Sequence, residues 1–398
     1  MPTPQQRTVL HLDLDAFFVS VEVLRDSRLR GLPLIIGGSS DRGVVASCSY
    51  EARKFGVHSA MPIRMAKRLC PDATIISGDM EAYSRYSRLI TDIIRDSAPS
   101  FEKSSIDEFY LDLSGMDRFF GNWKWSLELR DTIIRESGLP ISFGLSTNKM
   151  IAKVATGEAK PNGKLHVPQG TERPFLDPLS IRKIPMVGNK TYRTLRNMGV
   201  QYVMTLRQIP RDMMERLLGQ SGRILWQRAN AIDDTPVVPY TEAKSISTEM
   251  TFEQDTINVQ RMRSLLLGMT EKLGFKLRQQ QRLTGCITVK LRYANFDTVT
   301  RQLTIPYTAN DQLLIQKAIE LFDRLYDRRM RIRLLGVRFS HLIQGHHQIN
   351  LFHDTQKEIQ LYQAMDRMKR KYGAQAILRA KALGEGRQRP DINPFMKG

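Results

Sequence analysis

The stretch LHLDLDAFFVSVE, Leu10 to Glu22, decides how the first half of the chain is read. Side chains alternate along a strand, so Leu10, Leu12 and Leu14 share one face while His11, Asp13 and Asp15 share the other. The leucines make an ordinary buried strand. The acids, and the rings of Phe17 and Phe18 that follow at once, need another explanation. A second acidic stretch, SSIDEFYLDLS (Ser104 to Ser114), joins Asp107 and Glu108 to a β-rich run, and a sheet can set it beside the first. Neighbours in a regular strand point to opposite faces, so Asp107 and Glu108 aim at one site only if Asp107 lies in a turn or bend. The Ser-Ser-Ile-Asp sequence suits such a bend. Three carboxylates from two strands, with no histidine or cysteine companion, form a hard, oxygen-rich set suited to Mg²⁺ or Mn²⁺ rather than zinc. Two such ions roughly 3.5 to 4 Å apart serve in-line phosphoryl chemistry. Taken singly, each acid is more simply an edge-strand charge or a cap.

Composition narrows the partner. The 398 residues exceed one compact core and predict two to four domains, and 41% hydrophobic content is enough to fill them. Lysine and arginine number 60 against 41 acidic residues, a net charge of +19, which points to a polyanion. No run of apolar residues long enough to span a bilayer occurs, and the polar start MPTPQQRTV is no signal sequence, so a soluble cytoplasmic protein on nucleic acid is expected rather than one on a membrane. Cys48, Cys70 and Cys286 lie far apart without a C-x-x-C pair, which predicts reduced, structural thiols.

Up to about residue 167, strand-like runs alternate with helical spacing, an α/β texture. From Ile181 to about Asp234, short helical segments punctuated by Gly and Pro read as a small all-helical unit. DDTPVVPYTEAKS, with Pro236 and Pro239, reads as an extended linker. Beyond it the order β-α-β-β-α-β predicts a split βαβ unit, a sheet with helices on one face. In its second strand Ile287, Val289 and Leu291 face those helices, leaving Thr288, Lys290 and Arg292 on the open side. That side can lie along phosphates or be simply a solvated polar face.

Four motifs in order, DLDAFFVSVE, YEARKFGVHSAMP, SIDEFYLDL and AKPNGK, resemble the Y-family translesion DNA polymerases, and most closely their DinB, or DNA polymerase IV, branch. The resemblance extends to about residue 345 and implies a multi-domain protein of α/β and α+β parts. A palm (1–16 and 79–167) is interrupted by small fingers (17–78), and a helix-hairpin-helix thumb (168–236), a linker (237–244) and a split βαβ little finger (245–345) follow. The implied activity is template-directed DNA synthesis of low fidelity past damaged bases, and no segment suggests a proofreading exonuclease.

Roles carry over by position. Asp13 and Asp107 would bridge two Mg²⁺ ions (or Mn²⁺), Glu108 would hold the ion at the primer 3′-OH, and the Leu14 carbonyl would complete the nucleotide-side ion. Asp15 would be structural. Tyr50, Arg53 and Lys160 match the grip on the triphosphate of the incoming dNTP, a task for which planar guanidinium is well suited. Val44 and Ala46 match the small-residue roof over the nascent base pair. Phe18 matches the aromatic steric gate against a ribose hydroxyl, with Phe17 turned into the core, although two buried rings after a strand are also the ordinary expectation.

For the primer-template, Gly188, Asn189 and Lys190 at a helix start in the thumb can meet a phosphate through backbone N–H groups. In the little finger Lys290, Arg292, Arg331, Arg333 and Arg338 are the candidates, some of them expected to be merely solvated. QINLF, Gln348 to Phe352, resembles the short peptide by which bacterial polymerases dock on the sliding clamp, with Gln348 as polar anchor and Leu351 and Phe352 as plugs. The residues from 346 onward read as a tail that includes a helical segment. A monomer is expected. Two other readings compete, a metal-dependent nuclease and a clamp-tethered, non-catalytic DNA-binding factor. The nuclease would not require the nucleotide grip, thumb and little finger together.

Overall fold

The computed structural model describes residues 7–38, 40, 42–117, 121–239, 241–326, 330–345, 356–373 and 376–380. The chain divides into two compact units between Thr241 and Glu242, inside the segment read as a linker.

The first unit is built on a five-stranded sheet in the order β5-β6-β1-β7-β8. Its strands are β1 (Val9–Leu14), β5 (Phe101–Lys103), β6 (Glu108–Asp112), β7 (Ile141–Ser146) and β8 (Lys164–His166), with β2 (Leu34–Gly37), β3 (Val45–Cys48) and β4 (Thr74–Ile76) in a separate three-stranded sheet. β1 lies at the centre and pairs antiparallel with β6 and β7. Leu10, Leu12 and Leu14 are all but fully buried and pack with Ile90, Ile94, Leu129 and Ile133 of the helices Met80–Ser97 and Asn122–Ser137. The other face is covered by the helix Lys149–Ala159. Asn148 caps its start, the side chain accepting from the Ile151 N–H at 2.9 Å, and Pro161 just beyond Lys160 cannot continue it. This helix runs so close to β7 that a Cβ on Gly144 would lie 2.3 Å from the Ala152 carbonyl oxygen, so only glycine fits there. The helices of residues 189–229 share a separate apolar core with Ile181, Leu195, Val203 and Leu225.

The second unit holds β9 (Ser245–Thr256), β10 (Arg282–Tyr293), β11 (Thr298–Thr308) and β12 (Ile332–Gln344) in the order β11-β10-β12-β9, all antiparallel. Both β-α-β crossings are split by an intervening strand. Ile287, Val289 and Leu291 are buried beneath the helices Val259–Gln279 and Asp311–Leu325, while Thr288, Lys290 and Arg292 stay partly open. Beyond β12, the helix Gln356–Tyr372 is more than a tail segment. Its Tyr362, Asp366 and Lys369 are buried against the two helices of this unit. The three cysteines are free and buried.

Candidate active site

Asp13 and Glu108 face each other in the register of β1 and β6, so both side chains leave the sheet on one face. Asp107 lies in a bend just before β6, as its convergence with Glu108 requires. Ser105 Oγ donates to Asp107 Oδ1 at 2.5 Å and accepts from the Asp107 N–H at 3.3 Å. The Leu14 N–H donates to the Asp107 carbonyl at 3.1 Å, which ties the end of β1 to the bend and brings Leu14, Asp13 and Asp107 together.

Each acid has a partner within the chain. Lys160 Nζ lies 2.5 Å from Asp13 Oδ1, 3.5 Å from the Leu14 carbonyl oxygen and 3.8 Å from Asp15. Burial pushes the Asp13 carboxyl up, Lys160 opposes, and the neighbouring Asp107 charge adds to the rise. Burial would also raise Glu108, but the His11 hydrogen bond and the Lys153 ammonium hold it below the usual carboxylate range. The expectation of acids without a histidine companion is therefore corrected: His11, 1% exposed, places Nε2 2.5 Å from Glu108 Oε1 and Nδ1 2.7 Å from Thr156 Oγ1. A carboxylate can only accept, so Nε2 carries the proton. Burial lowers the His11 pKa despite Glu108, and Nδ1 lies within hydrogen-bond distance of the Thr156 hydroxyl. Lys153 Nζ reaches the same Oε1 of Glu108. The sequence carried a signal for this group: Lys153, Thr156 and Lys160 recur at i, i+3 and i+7, one face of a helix.

Among the described residues no three His, Cys, Asp or Glu side chains stand ready as a metal cage. The carboxylates are instead turned toward Lys160, Ser105, His11 and Lys153. The donor chemistry still fits a hard divalent cation. The set consists of carboxylate oxygens and a backbone carbonyl, and the Asp107 charge that raises Asp13 is the kind of repulsion such a cation relieves.

Asp15 is buried and accepts from Ser142 Oγ at 3.0 and 2.8 Å, from the Asn162 N–H at 2.7 Å and from the Tyr50 hydroxyl at 3.4 Å. It thereby fixes the loop after Lys160 and the helix Tyr50–Lys54 to the end of β1. Ser49 caps that helix, accepting from the Ala52 N–H at 3.3 Å. Arg53 is exposed, its guanidinium 4.5 Å from the centroid of the Tyr50 ring. Val44 is exposed and Ala46 half-buried, on the face opposite buried Val45. Phe17 and Phe18 are both buried, and Phe18 stacks on Tyr83 with ring centroids 4.3 Å apart. Tyr83 in turn donates to Glu22 at 2.7 Å.

Gly188, Asn189 and Lys190 are exposed at the start of the helix Asn189–Asn197. In the second unit Lys290 is held by both oxygens of Glu249, at 2.8 and 3.1 Å. Arg292 donates to Thr298 Oγ1 at 2.9 Å, and Arg333 lies 4.6 Å over the Phe296 ring. Arg331 and Arg338 are exposed. The peptide Gln348, Leu351 and Phe352 falls outside the described residues.

The impB/mucB/samB family model matches residues 12–157, and the model of that family's C-terminal domain matches residues 243–351. The chain is 38% identical over 376 residues to the DNA polymerase IV of Dehalococcoides mccartyi, covering 93% of this chain and 96% of that protein. It is 37% identical to the DNA polymerase IV of Treponema denticola, covering 83% and 85% respectively. The DNA polymerase IV 2 of Methanosarcina mazei is 38% identical, with 84% and 92% covered. A solved Y-family DNA polymerase chimera superimposes with a TM-score of 0.72 at 26% identity, covering 85% of this chain and all of the chimera. The chain belongs to the impB/mucB/samB family, the Y-family DNA polymerases, in their DinB branch. No helix among the described residues is long and apolar enough to cross a membrane.

Proposed function

We propose that this Y-family enzyme extends a primer 3′-OH with dNTPs by two-metal nucleotidyl transfer, copying templates with damaged bases at low fidelity and without proofreading. The observation that carries this reading is the convergence of Asp13 and Glu108, partners in the sheet, with Asp107 in the bend tied to Leu14. Asp13 and Asp107 would hold both ions, Glu108 the primer-side ion, and the Leu14 carbonyl the nucleotide-side ion. Two Mg²⁺ ions, or Mn²⁺ in their place, supply when bound the charge that activates the attacking oxygen and steadies the leaving pyrophosphate.

The residues around them bind and orient. Lys160, 21% exposed at the end of a flexible stem, can reach a triphosphate from where it meets Asp13, and Tyr50, which meets Asp15, would join it in that grip with Arg53. Phe18 would form the floor against C2′, and Val44 and Ala46 an undemanding roof that accommodates a distorted template base. Gly188, Asn189 and Lys190 of the thumb, and Arg331, Arg338 and their neighbours of the little finger, would track the phosphates of primer-template DNA. The domain bounds set out from the sequence, a monomeric state, a cytoplasmic location and clamp docking through Gln348, Leu351 and Phe352 belong to the same reading.

The test is extension of a 5′-labelled primer on an undamaged and a lesion-bearing template, with all four dNTPs and Mg²⁺. Longer products on both are expected. Shortened primer would mean a nuclease, and unchanged primer with intact binding a non-catalytic DNA-binding factor.

A further inference from the structure

His11 belongs to no motif that carried the functional reading, yet both of its ring nitrogens are used and it points at a proposed metal ligand. It stands two residues before Asp13 on β1 and opposite Tyr110, so Glu108 is its diagonal neighbour across the strand pair. Its ring lies 4.5 Å from that of Tyr110 and is almost completely buried. Thr156, on the helix over this face, fixes the ring from behind through Nδ1. Thr156 Oγ1 also has the Ala152 carbonyl at 2.9 Å and the His11 carbonyl at 3.1 Å as acceptors that share its one proton, so the hydroxyl sits where strand and helix meet.

The bonds to Glu108 are one-sided. His11 Nε2 and Lys153 Nζ both meet Oε1, from the sheet and from the helix, and no contact of Oε2 competes with them among the described residues. A carboxylate held by one oxygen from two directions has its rotation about the last bond fixed, and its second oxygen is presented to whatever binds on the open side. We infer that His11 and Lys153 are positioning residues for Glu108, fixing Oε1 so that Oε2 is offered to the primer-side divalent cation, with Thr156 fixing His11 in turn. This rests on the two-metal reading of Asp13, Asp107 and Glu108. Partners that orient metal-binding carboxylates in this way are worth roughly 10- to 100-fold in metal affinity or activity. A histidine that merely satisfied itself in the core would not change metal binding when replaced by an aromatic ring of similar shape.

The experiment uses the full chain on a primer-template with a dideoxy-terminated primer and incoming dNTP. Mn²⁺ binding is followed by electron paramagnetic resonance, and single-nucleotide insertion is measured on the extendable primer. His11→Phe and Lys153→Met should each weaken Mn²⁺ binding and lower kcat by roughly 10- to 100-fold, with KM for dNTP and the thermal midpoint little changed. His11→Gln, whose amide can donate from near the Nε2 position, should restore most of both. Wild-type Mn²⁺ affinity and kcat in a folded His11→Phe protein overturn the inference. If that variant does not fold, Lys153→Met decides alone, since Lys153 is 37% exposed and its loss leaves the core intact. Glu108→Gln runs in parallel. If it extends normally, the metal-centre reading fails and takes this inference with it; if it is inactive while the His11 and Lys153 variants behave as wild type, only the inference fails.

Discussion

In the second unit the Arg278 guanidinium is taken up by two buried carboxylates, whereas around Asp13 and Glu108 in the first the carboxylates are held by lysines that water can reach. Arg278 makes paired bonds to Asp311, at 2.6 and 3.1 Å, and to Asp366, at 2.8 and 3.0 Å, and donates to the Ala309 carbonyl at 3.0 Å. The three side chains are between 1% and 7% exposed. That network is closed. At the other site Lys160 and Lys153 are 21% and 37% exposed, and one carboxylate oxygen of Glu108 is left over. Saturated, desolvated ion networks hold elements together. Networks with water-accessible cations and spare oxygens can exchange partners with a metal or a phosphate.

The sharpest way to break this contrast is to remove the acids. Asp13→Ala, Asp107→Ala and Glu108→Ala should each nearly abolish nucleotide addition, while the thermal midpoint and primer-template affinity stay near wild type. Single-nucleotide insertion and fluorescence anisotropy check this, and full extension by the Asp13 variant would place the chemistry elsewhere. The closed network should behave in the opposite way. Arg278→Ala leaves Asp311 and Asp366 buried without their cation, a defect that typically costs about 3 to 5 kcal/mol. Denaturant unfolding should record that loss, and the folded fraction should insert a nucleotide at the wild-type rate. Unchanged stability would show that the triad does not hold the C-terminal helix.

These two networks were unequally legible in the sequence. The acids sit in runs whose alternation reveals the strand and its exposed face, and the serines before Asp107 announce the bend that lets it join Glu108. The split sheet followed from clean alternation in β10. Nothing comparable marked the docking of the helix Gln356–Tyr372. Among the residues of that helix whose burial is described, the buried ones are Tyr362, Asp366 and Lys369, at helical spacing but two of the three charged, a pattern that a search for apolar periodicity passes over. His11 was visible on the acid-bearing face, but its partner Thr156 is 145 positions away and meets it only because the helix Lys149–Ala159 lies across β1. Contacts of that kind are properties of the fold, not of any local pattern.

Phe18 tests the boundary between packing and function within the first unit. It stacks on Tyr83 as a core residue would, and lies five residues past Asp13, where a ring can floor the sugar site. Phe18→Ala should keep deoxynucleotide insertion and gain ribonucleotide insertion. Phe17→Ala should leave sugar choice alone and cost stability, about 3 to 5 kcal/mol for a buried ring. Comparing dNTP and rNTP insertion by the two variants decides it, and unchanged discrimination in a folded Phe18→Ala protein removes the gate.

The smallest effect applies the contrast between closed and open charge to the sheet face of the second unit. Lys290 and Glu249 belong to one row across β10, β12 and β9, with Gly336 between them. A Cβ at Gly336 would lie 2.7 Å from Glu249 Cγ, so the glycine clears the path along which lysine and glutamate meet. Arg338, two residues further along β12, shares this face and is exposed. DNA affinity falls with salt at a logarithmic slope of about −0.9 per phosphate neutralised, and losing one contacting cation reduces the slope by about one. Arg338→Ala should therefore flatten the slope by about one unit. Lys290→Ala should change it much less, because Glu249 already neutralises that lysine. Glu249→Gln should steepen the slope by releasing Lys290 to a phosphate. Equal flattening by the Arg338 and Lys290 variants would mean that the Lys290–Glu249 pair, 29% and 24% exposed, opens on DNA and exchanges its carboxylate for a phosphate.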